Sequence, residues 1–78
     1  MCHACETPYC NLAAANPATV ICDFGLSDTM ILRLGPEQVA NAAKNRELGL
    51  LCDKHQANYE AVAAVLMAAA EAIKERRR

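Results

Sequence analysis

The chain of 78 residues has no Trp, one Phe and two Tyr, so large side chains are scarce. Its apolar fraction is nevertheless 54%, because sixteen residues are alanine. The apolar set is therefore rich in number and poor in area. A domain of this size buries only about 60% of its unfolded surface, and at about 25 cal/mol per Å² an alanine contributes little of that burial. Small folds in this position add disulfides, a structural metal or a partner chain. An excess of one charge is also missing: the formal net charge is -1, which removes the strongly basic footprint of a non-specific nucleic-acid binder. Residues 1–34 carry Arg33 against Glu6, Asp23 and Asp28, whereas most of the positive charge sits in Lys74, Arg76, Arg77 and Arg78. No apolar run reaches the roughly 18 residues of a membrane span, and no signal peptide precedes Cys2. The expectation is a single cytoplasmic domain over residues 1–78. Five cysteines, an odd count, suit thiolates held for a metal in a reducing compartment better than a disulfide framework.

Punctuation along the chain divides it into four parts. Residues 1–16 mix Cys, His, Pro and Asn without a period and read as a knuckle-like loop closed by Asn16-Pro17. Val20, Cys22 and Phe24 alternate with Thr19, Ile21 and Asp23, and Met30, Leu32 and Leu34 alternate with Ile31 and Arg33. With Gly25-Leu26-Ser27-Asp28 between them, these runs predict a two-stranded hairpin over 18–34, with Cys22 as a small buried hydrophobe. Gly35-Pro36-Glu37 is a helix-start signal and Gly49 a stop, so a short helix is expected over 36–48. From 52 to 77 there is neither Pro nor Gly, which predicts a long helix. On it Tyr59, Val62, Leu66, Ala69 and Ile73 follow at spacings of 3 and 4, the ladder that packs against another element. Carried back by the same spacings, that ladder reaches His55 and Cys52.

Cys2-His3-Ala4-Cys5 and Cys52-Asp53-Lys54-His55 are a C-x2-C and a C-x2-H pair. Together they supply three thiolates and one imidazole, the donor set of a closed tetrahedral zinc site. Two intervening residues let both side chains of a pair bend towards one ion from a tight turn or a first helical turn. Cys2, Cys5, Cys52 and His55 are therefore the candidate ligands of one structural Zn²⁺. Cys10 is a possible alternative ligand, and His3 reads as a solvent-facing residue of the knuckle. Five cysteines also leave an iron-sulfur centre open.

A C-x2-C knuckle, a hairpin and a ligand pair opening a helix resemble the treble-clef-like zinc fingers, and the likeness runs through Cys2/Cys5, 18–34 and Cys52/His55. The resemblance implies an α+β fold organised by zinc. The alanine-rich composition is also similar to that of short uncharacterised zinc-binding proteins of actinobacteria and their phages. The helix at 36–48 departs from the treble-clef pattern.

Catalysis has little support, since four protein ligands close the shell that a catalytic zinc leaves open for water. The deaminase H-x-E and P-C-x-x-C patterns are missing too. The expected role is a non-catalytic zinc-binding interaction module. Residues 61–70 are uncharged, with Val62, Val65, Leu66 and Met67 spread over more than one face, so the long helix is expected to self-associate or to dock on a protein partner. The competing expectation is a small nucleic-acid-binding zinc finger or transcriptional regulator that uses the Arg-rich end, although few aromatics are present to stack on bases.

Overall fold

A computed structural model describes residues 12–77 of the chain. A single 3-10 turn, Leu12–Ala14, leads into three helices: α1 at Val20–Asp23, α2 at Asp28–Leu48 and α3 at Asp53–Arg76. There is no strand among the described residues. The α+β class and the hairpin expected over 18–34 are therefore corrected to an all-helical arrangement, and with the hairpin goes the treble-clef reading.

The physical reasons lie in side-chain chemistry that alternation does not register. Asn16 Oδ1 accepts from the Ala18 amide at 2.9 Å, and the Thr19 hydroxyl donates to Asp23 Oδ2 at 2.7 Å. Such local bonds tighten a backbone into turns instead of extending it. Gly25 adopts a φ of 59°, and the amides of Gly25 and Leu26 bond back to the carbonyls of Cys22 and Ile21. That is a left-handed helix stop, a conformation glycine adopts without a Cβ penalty. Two residues later Ser27 caps α2, its hydroxyl accepting from the Met30 amide. What resembled a hairpin loop is thus the end of one helix beside the start of the next. Cys22 and Phe24, expected on a buried strand face, are exposed, while Val20 is fully buried.

Gly35-Pro36, read as a helix start, lies inside α2. Proline in a helix interior removes one amide donor and crowds the carbonyl four residues back, at a cost of about 3 kcal/mol. The helix continues because its buried stripe runs through this point: Ile31, Gly35, Gln38 and Ala42 all face inward. Gly35 marks the close approach of α2 to α3. A Cβ there would meet the Leu66 carbonyl oxygen at 3.1 Å, and Ala70 Cβ and Met67 Cα each at 3.3 Å. At its far end α2 stops at Gly49, whose φ of 65° lets the amides of Gly49 and Leu50 return to Arg46 and Asn45.

α2 and α3 form an antiparallel helical hairpin, and residues 12–26 lie across one of its faces. Val20 packs with Val62 and Leu66, joined by Leu12, Ile21, Leu26, Leu34 and Val65. Ala13 packs with Ala42, Tyr59 and Ala63 near the loop end, and Ile31 with Ala70 and Ile73 at the other. Asn58 fastens this layer, its Nδ2 donating to the Ala13 and Ala15 carbonyls at 2.7 Å each. No helix among the described residues is long and apolar enough to cross a membrane.

Candidate functional site at the start of the long helix

Cys52 is the N-cap residue of α3, with φ -68° and ψ 164°, and its side chain makes no capping hydrogen bond. Its Sγ instead lies 3.1 Å from His55 Nδ1. Extended backbone at the cap followed by helix at Asp53 turns the two side chains towards each other, since residues three apart lie on one face of a first helical turn. Cys52 is exposed and His55 half-buried. Of the four expected zinc ligands these two are brought together. Cys2 and Cys5, with the alternative Cys10 and with His3, lie outside the described residues.

Among the described residues no three His, Cys, Asp or Glu side chains gather as a metal would require. A zinc finger is therefore not what the described residues form, and that reading is corrected together with the treble clef. The two helix-side donors nevertheless suit a metal geometrically. In a tetrahedral site with Zn–S near 2.3 Å and Zn–N near 2.0 Å, the two donor atoms stand about 3.5 Å apart. The observed 3.1 Å requires an opening of only about 0.4 Å. Beside the pair, Lys54, His55, Ala57, Asn58 and Ala61 border a shallow depression whose other wall is Ala13 and Ala14. Ala13 and Ala14, near the start of the described residues, thus border the same depression as His55.

The expected interaction ladder has a different place. Tyr59, Val62, Leu66 and Ile73 are buried within the chain's own core, and Ala69 is half-buried at its edge. They pack on α2 and on residues 12–26, so none of the four buried side chains is open to a partner. Tyr59 donates its hydroxyl to Gln38 Oε1 in a buried side-chain pair. Burial holds the phenol above its ordinary pKa of 10.0; a hydrogen bond with Asn41 opposes the rise and the Glu37 carboxylate adds to it. Gln56, also buried, donates to the Ala42 carbonyl at 3.0 Å, while its own Oε1 has no partner among the described residues. Sequence reasoning passed over Asn58, Gln38 and Gln56, because polar residues on a helix are ordinarily assigned to solvent. The signal is helical spacing from inward residues: Gln38 stands four before Ala42 and seven after Ile31, Gln56 three before Tyr59, and Asn58 four before Val62.

On the opposite face of the hairpin, Val39, Ala42, Ala43, Ala63 and Ala64 line a groove between α2 and α3. Arg46 spans its loop-side end, donating from Nη2 to both Glu60 carboxylate oxygens at 2.7 and 2.6 Å. Both side chains are substantially exposed, so the pair adds only about 0.2–1 kcal/mol. Comparison with protein families, with curated proteins and with solved structures gives no match.

Proposed function

We propose that the chain is a non-catalytic helical interaction module in which the cysteines of residues 1–11 and the start of α3 share one structural zinc ion. The observation that carries this reading is the Cys52–His55 pair, set beside the point at which the N-terminal segment joins the fold. Cys10 and Cys5 stand two and seven residues before Leu12, and at about 3.3–3.6 Å per extended residue such lengths span up to about 7 and 25 Å. The ligand set is Cys2, Cys5, Cys52 and His55, with Cys10 as the replacement for either N-terminal thiol. A thiolate on Cys52 would also sit at the positive end of the α3 dipole. Closing a loop of this kind matters for a thin core, since structural zinc contributes on the order of 10–16 kcal/mol in small peptides.

The test is native mass spectrometry of the full chain loaded with zinc, followed by melting with and without chelator. One zinc per chain is expected, lost in Cys52→Ser and in His55→Gln, and retained in Cys22→Ser. Exhaustive chelation is expected to lower the melting temperature. A chain that takes up no zinc and melts identically after chelation overturns the reading. The nucleic-acid alternative has less support: Lys74 has Glu71 at 3.7 Å and Arg76 has Asp28 at 3.9 Å, so part of the cationic end already faces carboxylates of the same chain.

A further inference from the structure

Residues 12–26 run along α3 in a definite order. Ala13 packs against Tyr59 and Ala63, Val20 against Val62 and Leu66, and Leu26 beside Ile31, Ala70 and Ile73. The segment therefore starts towards the Cys52 end of α3 and finishes at the other, where Asp28 opens α2 and has Arg76 at 3.9 Å. With 24 residues, α3 separates those two ends by about 36 Å. The start of the segment is fastened by Asn58, whose Nδ2 holds the carbonyls of Ala13 and Ala15. Asn58 stands three residues after His55, on the same helical face, and both border one depression with Ala13 and Ala14.

We infer that residues 12–26 are a strap that presents the thiols of Cys2 and Cys5 to Cys52 and His55, so that zinc binding and docking of the strap on α3 reinforce each other, with Asn58 as a positioning residue. This rests on the zinc reading and names what brings its ligands together. Chain length supplies the reason. With the strap docked, Cys5 stands seven residues from a held point, Leu12, which packs beside Ala13 and Tyr59. With the strap released, the nearest held point is Asp28, 23 residues away. The effective concentration of a tethered group falls roughly as the −3/2 power of tether length, so release lowers it about sixfold by length alone. Distance lowers it further, because Asp28 lies at the far end of α3 from Cys52. A flexible tether of 23 residues has a root-mean-square span of about 24–29 Å, against about 36 Å to be crossed. Such a coupling is reciprocal: whatever factor docking contributes to zinc affinity, zinc returns to docking. Asn58 is outside the donor set and acts through the two carbonyls it holds.

Amide hydrogen exchange of the full chain, with and without zinc, tests this. The reporters are the amides of Asp23, Phe24 and Leu26, bonded to the carbonyls of Thr19, Val20 and Ile21 inside the strap. Zinc is expected to slow their exchange at least about sixfold, the factor set by tether length. It is expected to slow the amides of α2 between Ile31 and Ala42 by less. Asn58→Ala is expected to speed exchange at the strap amides at least about fivefold in the zinc-free chain, with zinc recovering the loss in part. Val20→Asp, which sets a charge at a fully buried point of the strap, is expected to release it and to weaken zinc binding at least about sixfold in competition with a chromophoric chelator. Should that variant fail to fold, the wild-type exchange decides. Zinc uptake with strap exchange unchanged, or slowed only as much as in α2, overturns the coupling and leaves the metal reading standing. A folded Val20→Asp chain with a freely exchanging strap and undiminished zinc affinity does the same. A wild-type chain that takes up no zinc overturns both.

Discussion

Gly35→Ala is ordinarily a stabilising change in a helix interior, and here it is expected to destabilise. Replacing a helical glycine with alanine gains about 1 kcal/mol in propensity. Against that, the new methyl would lie 3.1 Å from the Leu66 carbonyl oxygen and 3.3 Å from Met67 Cα. Both are backbone atoms of α3 and have no rotamer through which to yield, and Ala70 Cβ at 3.3 Å has none either. Relief therefore requires the helices to separate by a few tenths of an ångström along the line that buries Leu66 and Ile31. Overpacking of this kind costs about 1–3 kcal/mol, which leaves a net loss of about 1 kcal/mol. In a domain this small that corresponds to a fall in Tm of about 4–8 °C. Thermal melting followed at 222 nm reads it. Ala70→Gly, which vacates one of the three contacts, is expected to rescue part of the loss when combined with Gly35→Ala, with a coupling of about 0.5–1 kcal/mol in the double-mutant cycle. A Tm for Gly35→Ala above that of the wild type would refute the claim that α2 and α3 are in closest contact at this residue.

Two further outcomes follow from the polar contacts inside the fold. Asn58→Ala removes both bonds that hold the Ala13 and Ala15 carbonyls, and is expected to cost about 1–3 kcal/mol in urea unfolding, with a rise in proteolytic cleavage before Val20. A change below about 0.3 kcal/mol would show that the layer is held by apolar packing alone. The raised pKa of Tyr59 means that the fold favours the protonated phenol. Stability from this group is therefore fully present below pH 10 and is lost as pH rises through the folded-state value. The urea midpoint of the wild type is expected to fall above pH 10 more steeply than that of Tyr59→Phe; parallel curves would disprove it.

What could be read in the sequence was the part written in residues with a single strong meaning. Gly49 ends α2, and the run without Pro or Gly after Cys52 is α3, with the Cys52/His55 pair at its start. The ladder from Tyr59 to Ile73 was visible as a packing surface, although its partner is the chain's own α2. The first half failed for a specific reason. The inward stripe of α2 is Ile31, Gly35, Gln38 and Ala42, and two of these four are not apolar, so a search for hydrophobic period finds no helix there. Over five residues, Met30, Leu32 and Leu34 fall on every second position by coincidence and a strand is inferred, although Ile31 between them is apolar too and is the one that is buried. Gly35-Pro36 then reinforced the error, because the local meaning of that dipeptide is a boundary. Close helix contact, a tertiary requirement, decides otherwise. Alanine hid the groove in the same way: Ala43, Ala63 and Ala64 have high helix propensity wherever they point, so composition alone does not distinguish a contact face from filler.

The dependence of residues 12–26 on α3 has a consequence for the order of assembly during synthesis. Ala13 and Val20 are buried against Tyr59, Val62 and Leu66, and Asn58 supplies the bonds to Ala13 and Ala15. The segment that leaves the ribosome early therefore has no docking surface until some 46 further residues, from Val20 to Leu66, have been made. At about 5–20 residues per second, that is a delay of roughly 2–9 s. Throughout it, the apolar side chains of Ala13 and Val20 wait for the helix that buries them, so the earlier part of the described fold is positioned last.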